Sequence, residues 1–218
     1  MNPALRVTVL LLIAIAIVHA EVRGQGEAPK SAKFPHHVLI IRHAVKTGAR
    51  EDIHLSKKGV ERATVLFQLF EATKERSDPY PRPDFIFAAS NSANSERPLE
   101  TVSPLGKKLK ITINQEFEST RPSSLDKADP RAKSGMAQDM SGLRDEILGQ
   151  SKYAGKTILV SWRHSSIPEL AKLLGAVNAP SKWEDSCYDR VWQLTFSEKG
   201  QVVFSNRPQR LLPGDAQQ

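Results

Sequence analysis

Two apolar runs that need burial on both faces constrain the fold of this 218-residue chain most. Residues His37–Ile41 are apolar and largely β-branched after the first position, and Thr157–Trp162 form a second run of the same kind. Such runs are typical of strands in a parallel sheet that helices cover on both faces. We therefore predict an α/β fold built on a central sheet.

Amphipathic segments between and after these runs predict four helices. The first begins after the N-cap Ser56 and has a stripe of apolar residues at three- and four-residue steps. That stripe consists of Val60, Ala63, Phe67 and Phe70, widened by Leu66 and Leu69. The other helices are Ser95–Leu109 with Pro98 in its first turn, a segment carrying Met136, Met140, Leu143 and Ile147, and Pro168–Leu174 before Gly175.

Four further strands are predicted from short apolar or alternating runs. Asp84–Ala88 and Ile111–Ile113 alternate with the helices, whereas Val191–Phe196 and Gln201–Phe204 flank a short turn and predict a hairpin. Strands that alternate with helices and end in a hairpin predict a three-layer α/β/α sandwich with a mostly parallel central sheet and a C-terminal edge hairpin.

The chain is predicted to contain one folded domain, because its length and its 39% hydrophobic and 25% charged residues are those of an ordinary globular protein. We place this domain at residues 34–208, after a flexible lead-in at 21–33 and before a tail at 209–218. The polar loop Ser119–Ser134 holds two prolines, and loops of this length are commonly functional. We expect this loop to roof a pocket.

Export is predicted from residues 1–20. Arg6 precedes the apolar run Val7–Val18, and Val18-His19-Ala20 has the spacing of a cleavage site. The run is short for a bilayer span, so we predict a secretory signal peptide cleaved after Ala20 and a periplasmic protein. An uncleaved segment that anchors the chain to the membrane is the alternative. The single Cys187 excludes an internal disulfide.

The net charge of +7 is compatible with an anionic ligand and equally with a solvated basic surface. No aromatic-rich RNA-binding motif or zinc knuckle is present, so nucleic acid is not an expected partner. The sequence carries no pattern that assigns an oligomeric state.

Polar pairs follow both of the long apolar runs. Arg42-His43 comes at the end of the first, and Arg163-His164 at the end of the second. Ligands of open α/β sheets bind beyond the carboxyl ends of the strands, and neighbouring parallel strands bring these ends together. We therefore expect the two histidines to meet. The side chain of Arg163 is expected to point away from His164, because side chains alternate along a strand.

Four segments, in order, resemble the histidine phosphatase superfamily, the phosphoglycerate-mutase-like group. They are "LIIRHAVK", which is similar to its Arg-His-Gly/Ala signature, "HLSKKGVERA", "SNSANSERPLETVSPL" and "ILVSWRHSSIPELAKLLG", with "YDRVWQLTF" as a weaker match. The four segments span roughly residues 37–175. The order of the segments and their strand and helix contexts carry the resemblance.

The resemblance implies that His43 is a nucleophile that forms a covalent phosphohistidine, which water then cleaves. Nearby guanidinium groups favour the unprotonated imidazole that such an attack requires. Arg42 and Arg97 would clamp phosphate oxygens, and His164 would donate a further hydrogen bond. Lys46 is a further substrate-binding candidate. Thr101 is expected to support the helix that presents Arg97.

The general acid is less well marked than the nucleophile. In the mutase branch of the family it is a Glu after the third strand, where this chain has Glu116 and Glu118, and we select Glu116 while Glu118 stays open. The mutase signature is missing, and Ser165 rather than Asp follows His164. Val45 stands where many relatives have Glu, which removes one charge beside the pocket.

The expected function is therefore a metal-independent phosphomonoester hydrolase without a cofactor, acting on a small phosphorylated substrate. Two alternatives stay open. One is a phosphotransferase or mutase, and the other is a non-catalytic module that binds phosphate or another anionic ligand on the same fold. No Cys or His spacing matches a zinc site, and no serine-hydrolase elbow or dinucleotide-binding glycine motif is present.

Overall fold

The computed structural model describes residues 33–49, 51–74, 76–119 and 140–217. The predicted signal peptide at 1–20, nearly all of the lead-in at 21–33, and residues 120–134 of the predicted roofing loop lie outside these ranges. Met136, the first apolar residue of the predicted third helix, also lies outside these ranges.

Six strands form one sheet in the order β3-β2-β4-β1-β5-β6. The pairs β3–β2, β2–β4 and β4–β1 are parallel, whereas β1–β5 and β5–β6 are antiparallel. The mostly parallel sheet with an edge hairpin is therefore confirmed. The strands are β1 His37–Arg42, β2 Phe85–Ala88, β3 Ile113–Asn114, β4 Thr157–Trp162, β5 Arg190–Phe196 and β6 Val202–Pro208.

The helices lie close to their predicted positions. In the described ranges they are α1 Lys57–Val65, α2 Arg97–Leu109, α3 Met140–Gly149 and α4 Ile167–Leu173. The Ser56 hydroxyl accepts a hydrogen bond from the Gly59 amide at 3.1 Å, which confirms the predicted N-cap of α1. In these ranges, no helix combines the length and the apolar character that crossing a bilayer requires.

The apolar stripe of the first helix is displaced from its prediction. Beyond Val65 the chain tightens into a 3₁₀ helix, Leu66–Phe70, whose three-residue turn changes which side chains face the sheet. Leu66 and Leu69 are consequently buried, whereas Phe67 and Phe70 only pack against the edge of the core. Val60 is 54% exposed, so its predicted place in the buried stripe was wrong.

The third strand begins two residues later than predicted. Lys110 ends α2 in the left-handed conformation, with φ of 58°, and the amide of Ile111 still donates to the Gly106 carbonyl at 3.0 Å. Ile111 thus belongs to the cap of the helix, because its amide satisfies one of the last helical carbonyls. Only Ile113 and Asn114 pair with β2.

Apolar side chains cover both faces of the sheet, which makes the described fold a three-layer α/β/α sandwich. One face of β1 and β4 packs against α3 and α4 through Leu143, Ile147, Ile167 and Leu170. The other face packs against the 3₁₀ segment and α2 through Leu66, Leu69, Val102 and Leu105. Successive residues of a strand point to opposite faces, so the continuous apolar runs are explained by burial on both sides.

Residues 209–217, expected as a tail, are anchored to the domain. The Arg62 guanidinium donates to both carboxylate oxygens of Asp215 and to the Gln209 side chain, and all three residues are buried. The Asp215 carboxylate also accepts from the amides of Leu211 and Leu212. These bonds tie the end of the described chain to α1.

Candidate active site

The pairing of β1 with β4 brings the two polar strand ends together. Arg42 lies opposite Trp162 in the parallel register, and the amide of His43 donates to the Trp162 carbonyl at 3.0 Å. His43 and His164 therefore follow neighbouring strands at the carboxyl edge of the sheet, as the sequence led us to expect.

The His43 side chain has one ring nitrogen committed and one available. His43 is 4% exposed, and its Nδ1 lies 2.8 Å from the Ala44 carbonyl oxygen. Because a carbonyl can only accept, Nδ1 carries the proton of the neutral imidazole, and the lone pair is on Nε2. A buried imidazole with an unprotonated Nε2 is a competent nucleophile.

Burial lowers the pKa of His43 to about 3, against the opposing effect of its hydrogen bond to Ala44. The Arg42 and Arg97 guanidinium groups, and His164 when it is protonated, contribute to this lowering. These three groups, which lie on separate segments of the chain, are therefore within electrostatic range of one imidazole. The ring stays neutral across the physiological pH range.

The Arg42 guanidinium is buried and held by the loop at residues 184–188. Nη1 donates to the carbonyl oxygens of Asp185 at 2.5 Å and Cys187 at 3.1 Å, and at 3.4 Å to that of Glu184. Nη2 donates to the Tyr188 hydroxyl at 3.1 Å, and the guanidinium carbon lies 3.8 Å from the centre of the Tyr188 ring. Buried Nε has no hydrogen-bond partner among the described residues.

Arg97 is the first residue of α2, and its side chain spans two loops. Nη1 donates to the Asp52 carbonyl at 2.6 Å, and Nη2 donates to the Asn94 carbonyl at 3.2 Å. Its buried Nε, like that of Arg42, lacks a partner in the part of the chain that the structure describes. An unpaired buried donor is costly, and an oxyanion beside it would satisfy it.

Thr101 fastens the nucleophile segment to α2. Its hydroxyl accepts a hydrogen bond from the Ala44 amide at 2.7 Å and donates one to the Arg97 carbonyl at 2.7 Å. Arg97 belongs to the candidate site, and Ala44 directly follows His43 in the chain. This side chain is buried, so its role is to hold His43 and Arg97 in a constant relationship.

His164 is partly exposed to solvent. Its side chain is 25% exposed, and Nε2 lies 3.2 Å from Oδ1 of Asp185. Burial, followed by the charge of Arg42 and then that of Lys46, lowers the pKa of His164, and Asp185 opposes the shift. Lys46 is exposed and lies within electrostatic range of this ring.

The two predicted acids differ in accessibility. Glu116 is exposed, and its carboxylate accepts a hydrogen bond from the side chain of Asn114 at 3.1 Å, whereas Glu118 is 9% exposed. The described contacts of Glu116 do not include His43, Arg42, Arg97 or His164. Nη2 of Arg163 donates a hydrogen bond to Oγ of Ser92 at 2.5 Å, and Ser92 lies in the loop after β2.

Sequence reasoning missed Asp185 and Tyr188, which contact His164 and Arg42 respectively. Both residues lie on a loop between α4 and β5 whose sequence, "EDSCYDR", has no periodicity. Moreover, three of the contacts to Arg42 come from backbone carbonyls, which every residue type possesses. The cluster of acids and one tyrosine between two predicted elements was the available signal.

One group of described side chains has the composition of a metal site. The ligand atoms of His54, Glu96 and Glu100 lie within 4.8 Å of one another. However, Glu100 bonds His54 Nδ1 at 2.5 Å and raises the pKa of that imidazole, which favours the protonated form that cannot ligate a metal. Metal independence stays a prediction.

No protein-family model matches the sequence, and no curated protein matches it. Solved structures with a similar fold include the phosphoglycerate mutase from Bacillus anthracis, with 14% identity, 80% of this chain and 94% of that chain covered, and a TM-score of 0.47. The protein histidine phosphatase SixA complexed with tungstate has 11% identity, 79% and 97% coverage, and a TM-score of 0.43. The mycobacterial glucosyl-3-phosphoglycerate phosphatase with inorganic phosphate has 15% identity, with 79% of this chain and 95% of that chain covered, and a TM-score of 0.39.

Proposed function

We propose that this protein is a phosphomonoester hydrolase of the histidine phosphatase superfamily, acting through a phosphohistidine at His43. The observation that carries the proposal is the environment of that imidazole. His43 is buried and neutral, with its lone pair on Nε2, and the charges of Arg42 and Arg97 act on it. A neutral nucleophile among cations suits attack on an anionic phosphate.

The unpaired donors of the site support an oxyanion ligand. Arg42 Nε and Arg97 Nε are both buried and without partners among the described residues. Each could donate to a phosphate oxygen with a charge-assisted hydrogen bond, and the gain would offset the cost of burying an unpaired donor. Other donors of both guanidinium groups bond backbone or tyrosine oxygens, which holds the planar groups in one orientation.

The proposed reaction has two steps. Nε2 of His43 forms a bond to phosphorus while the bond from phosphorus to the ester oxygen breaks, and that oxygen takes a proton from an acid. Water then attacks phosphorus and returns a proton to that acid, the bond between phosphorus and Nε2 breaks, and phosphate leaves with the neutral imidazole restored. Arg42, Arg97 and His164 would stabilise the charge on the transferring group in both steps.

A direct test compares the wild type with His43→Ala on a panel of phosphomonoesters that includes p-nitrophenyl phosphate. The wild type should hydrolyse at least one of them and carry an acid-labile phosphoryl label, and the variant should do neither. His54→Ala serves as the matched control, because His54 is exposed and outside the cationic cluster. Equal activity of the wild type and His43→Ala would show that the nucleophile is assigned wrongly.

A silent anion-binding module is the second candidate, and the commitment of Arg42 to the 184–188 loop favours it. Three of the five N–H donors of the Arg42 guanidinium are engaged there. Fewer donors therefore remain to form hydrogen bonds with the charge that develops in a transition state. Calorimetry with inorganic phosphate would detect binding under either proposal. Labelling of His43 by a phosphodonor would occur only in the enzyme.

For the cellular compartment, we propose export to the periplasm on the basis of residues 1–20 alone. N-terminal sequencing of the protein recovered from a periplasmic fraction should begin at Glu21. Recovery in the membrane fraction with an intact N-terminus would instead support the uncleaved anchor.

A further inference from the structure

The candidate site brings together a nucleophile and cations, but the proposed reaction also needs an acid that can protonate the departing ester oxygen. Glu116, predicted from the sequence, bonds Asn114 and has no described contact with His43, His164 or either arginine. A different carboxylate contacts a residue of the site. Oδ1 of Asp185 is 3.2 Å from Nε2 of His164.

We propose that Asp185 is the general acid and base of this site, an inference that rests on the proposed function. In the first step its carboxylic acid proton passes to the ester oxygen as the bond between that oxygen and phosphorus breaks and the Nε2–phosphorus bond of His43 forms. In the second step the carboxylate takes a proton from the water that attacks the phosphohistidine, and this restores the carboxylic acid. No other co-reactant is required.

The exposure of Asp185 fits both steps. The side chain is 81% exposed, so a departing alcohol and an incoming water can reach it, whereas Glu118 is 9% exposed. Its second carboxylate oxygen, Oδ2, has no hydrogen-bond partner in the described ranges and is available to the leaving group.

The position of Asp185 is held from two directions. Arg42 Nη1 binds its carbonyl oxygen at 2.5 Å, and His164 binds its carboxylate. The loop is further tied by the buried Trp183, whose indole N–H donates to the Cys187 carbonyl at 2.9 Å. An exposed carboxylate on a loop anchored in this way keeps its geometry toward His164, and acid catalysis requires a group held in position.

The neighbouring acid on the same loop provides a matched control. Glu184 is also exposed, and its backbone carbonyl also accepts from Arg42, but its carboxylate pairs with Lys182 at 3.1 Å instead of a site residue. Glu184→Gln changes an acid of the loop without changing the contact to His164. It should leave turnover unaltered.

The test compares Asp185→Asn on two substrates with different leaving groups. An alkyl phosphate such as glycerol 2-phosphate needs its leaving oxygen protonated, whereas p-nitrophenolate departs as a stable anion. We expect Asp185→Asn to lower kcat for glycerol 2-phosphate by about 10²–10⁴-fold, with a much smaller loss for release of p-nitrophenolate. The amide can still accept the hydrogen bond from His164, so the ring retains its partner.

Three outcomes would overturn the inference without touching the proposed function. In the first, Asp185→Asn leaves both activities intact, and in the second it lowers both equally, as a residue that only positions His164 would. In the third, Glu116→Gln or Glu118→Gln shows the dependence on the leaving group instead. Failure of the proposed function would give a different result, because His43→Ala would then have the same activity as the wild type on both substrates.

Discussion

Gly59 lies so close to Val45 that a Cβ atom added to the glycine would be 2.2 Å from the Val45 carbonyl oxygen. The same carbonyl accepts hydrogen bonds from the amide and the hydroxyl of Ser56, at 2.9 and 3.0 Å. The start of α1 is therefore packed directly against the segment that follows His43. This contact needs a residue without a side chain.

Gly59→Ala should therefore destabilise the protein by about 1–3 kcal/mol, since either the helix or the Val45 segment must shift. The shift would also displace His43, so kcat on p-nitrophenyl phosphate should fall. Urea unfolding followed by circular dichroism measures the first effect. Gly149→Ala is the control, because nothing lies within 4 Å of its added Cβ, and its free energy of unfolding should stay constant or rise by up to about 1 kcal/mol. Equal stability of the two variants would contradict the close contact.

Thr101→Val should separate the nucleophile segment from α2 while keeping the shape of the side chain. The Ala44 amide, which is buried, would lose its acceptor, at a cost of about 1–3 kcal/mol in the free energy of unfolding. Ser103→Ala is the matched change, because the Ser103 hydroxyl also donates to a carbonyl four residues earlier, and its described hydrogen bond stays within α2. We expect kcat/KM to fall for Thr101→Val only, and an equal fall in both variants would argue against the link.

Arg97→Ala should lower kcat by about 10²–10³-fold, as removal of a donor to transition-state charge does in other enzymes. Because Arg97 also bonds the carbonyls of Asp52 and Asn94, thermal unfolding must be recorded beside the kinetics. Lys107→Ala removes an exposed cation from the same helix and should change neither quantity. Should Lys107→Ala reduce activity as much as Arg97→Ala, the general charge of α2 would account for the effect.

The lowered pKa of His43 predicts a specific loss of stability in acid. In the unfolded chain this imidazole takes up a proton near pH 6.5, whereas in the folded state it does so only near pH 3. Between these values the unfolded state binds more protons, so His43 alone reduces the free energy of unfolding by about 1.4 kcal/mol for each unit that the pH falls. Above pH 6.5 the stability is retained in full.

His43→Gln removes this titration while filling similar space. Urea unfolding at several pH values between 7 and 3.5 should show a steeper decline for the wild type than for the variant. The other histidines with lowered pKa values, His37 and His164, are present in both proteins and cancel in the difference. Identical slopes would mean that His43 is not buried in its neutral form.

Much of the site could be predicted because its residues follow from local pattern. Arg42 and His43 come directly after an apolar strand, and Arg97 begins an amphipathic helix, so the positions of all three in the fold depend on nearby residues. The N-cap Ser56 was predictable for the same reason. Each of these assignments needs only the periodicity of one element and the rule that strand ends meet at one edge of the sheet.

Other features depended on packing that local pattern does not contain. The buried face of α1 runs through Gly59, Arg62 and Ala63, so Val60 lies at the surface, although the apolar spacing favoured its burial. Likewise, Ile111 is β-branched and favours a strand, but its amide caps α2. In both cases the tertiary arrangement outweighed a weak local propensity.

The amino-acid sequence by itself determined the three layers, the order in which strands and helices alternate, and the meeting of Arg42-His43 with His164 at one edge, because hydrophobic periodicity and strand adjacency are local or nearly local properties. Only the tertiary structure decided which oxygens engage Arg42 and which carboxylate lies beside His164. The path of the 184–188 loop sets both, and it is fixed by backbone carbonyls and by the buried Trp183, for which no residue spacing is diagnostic.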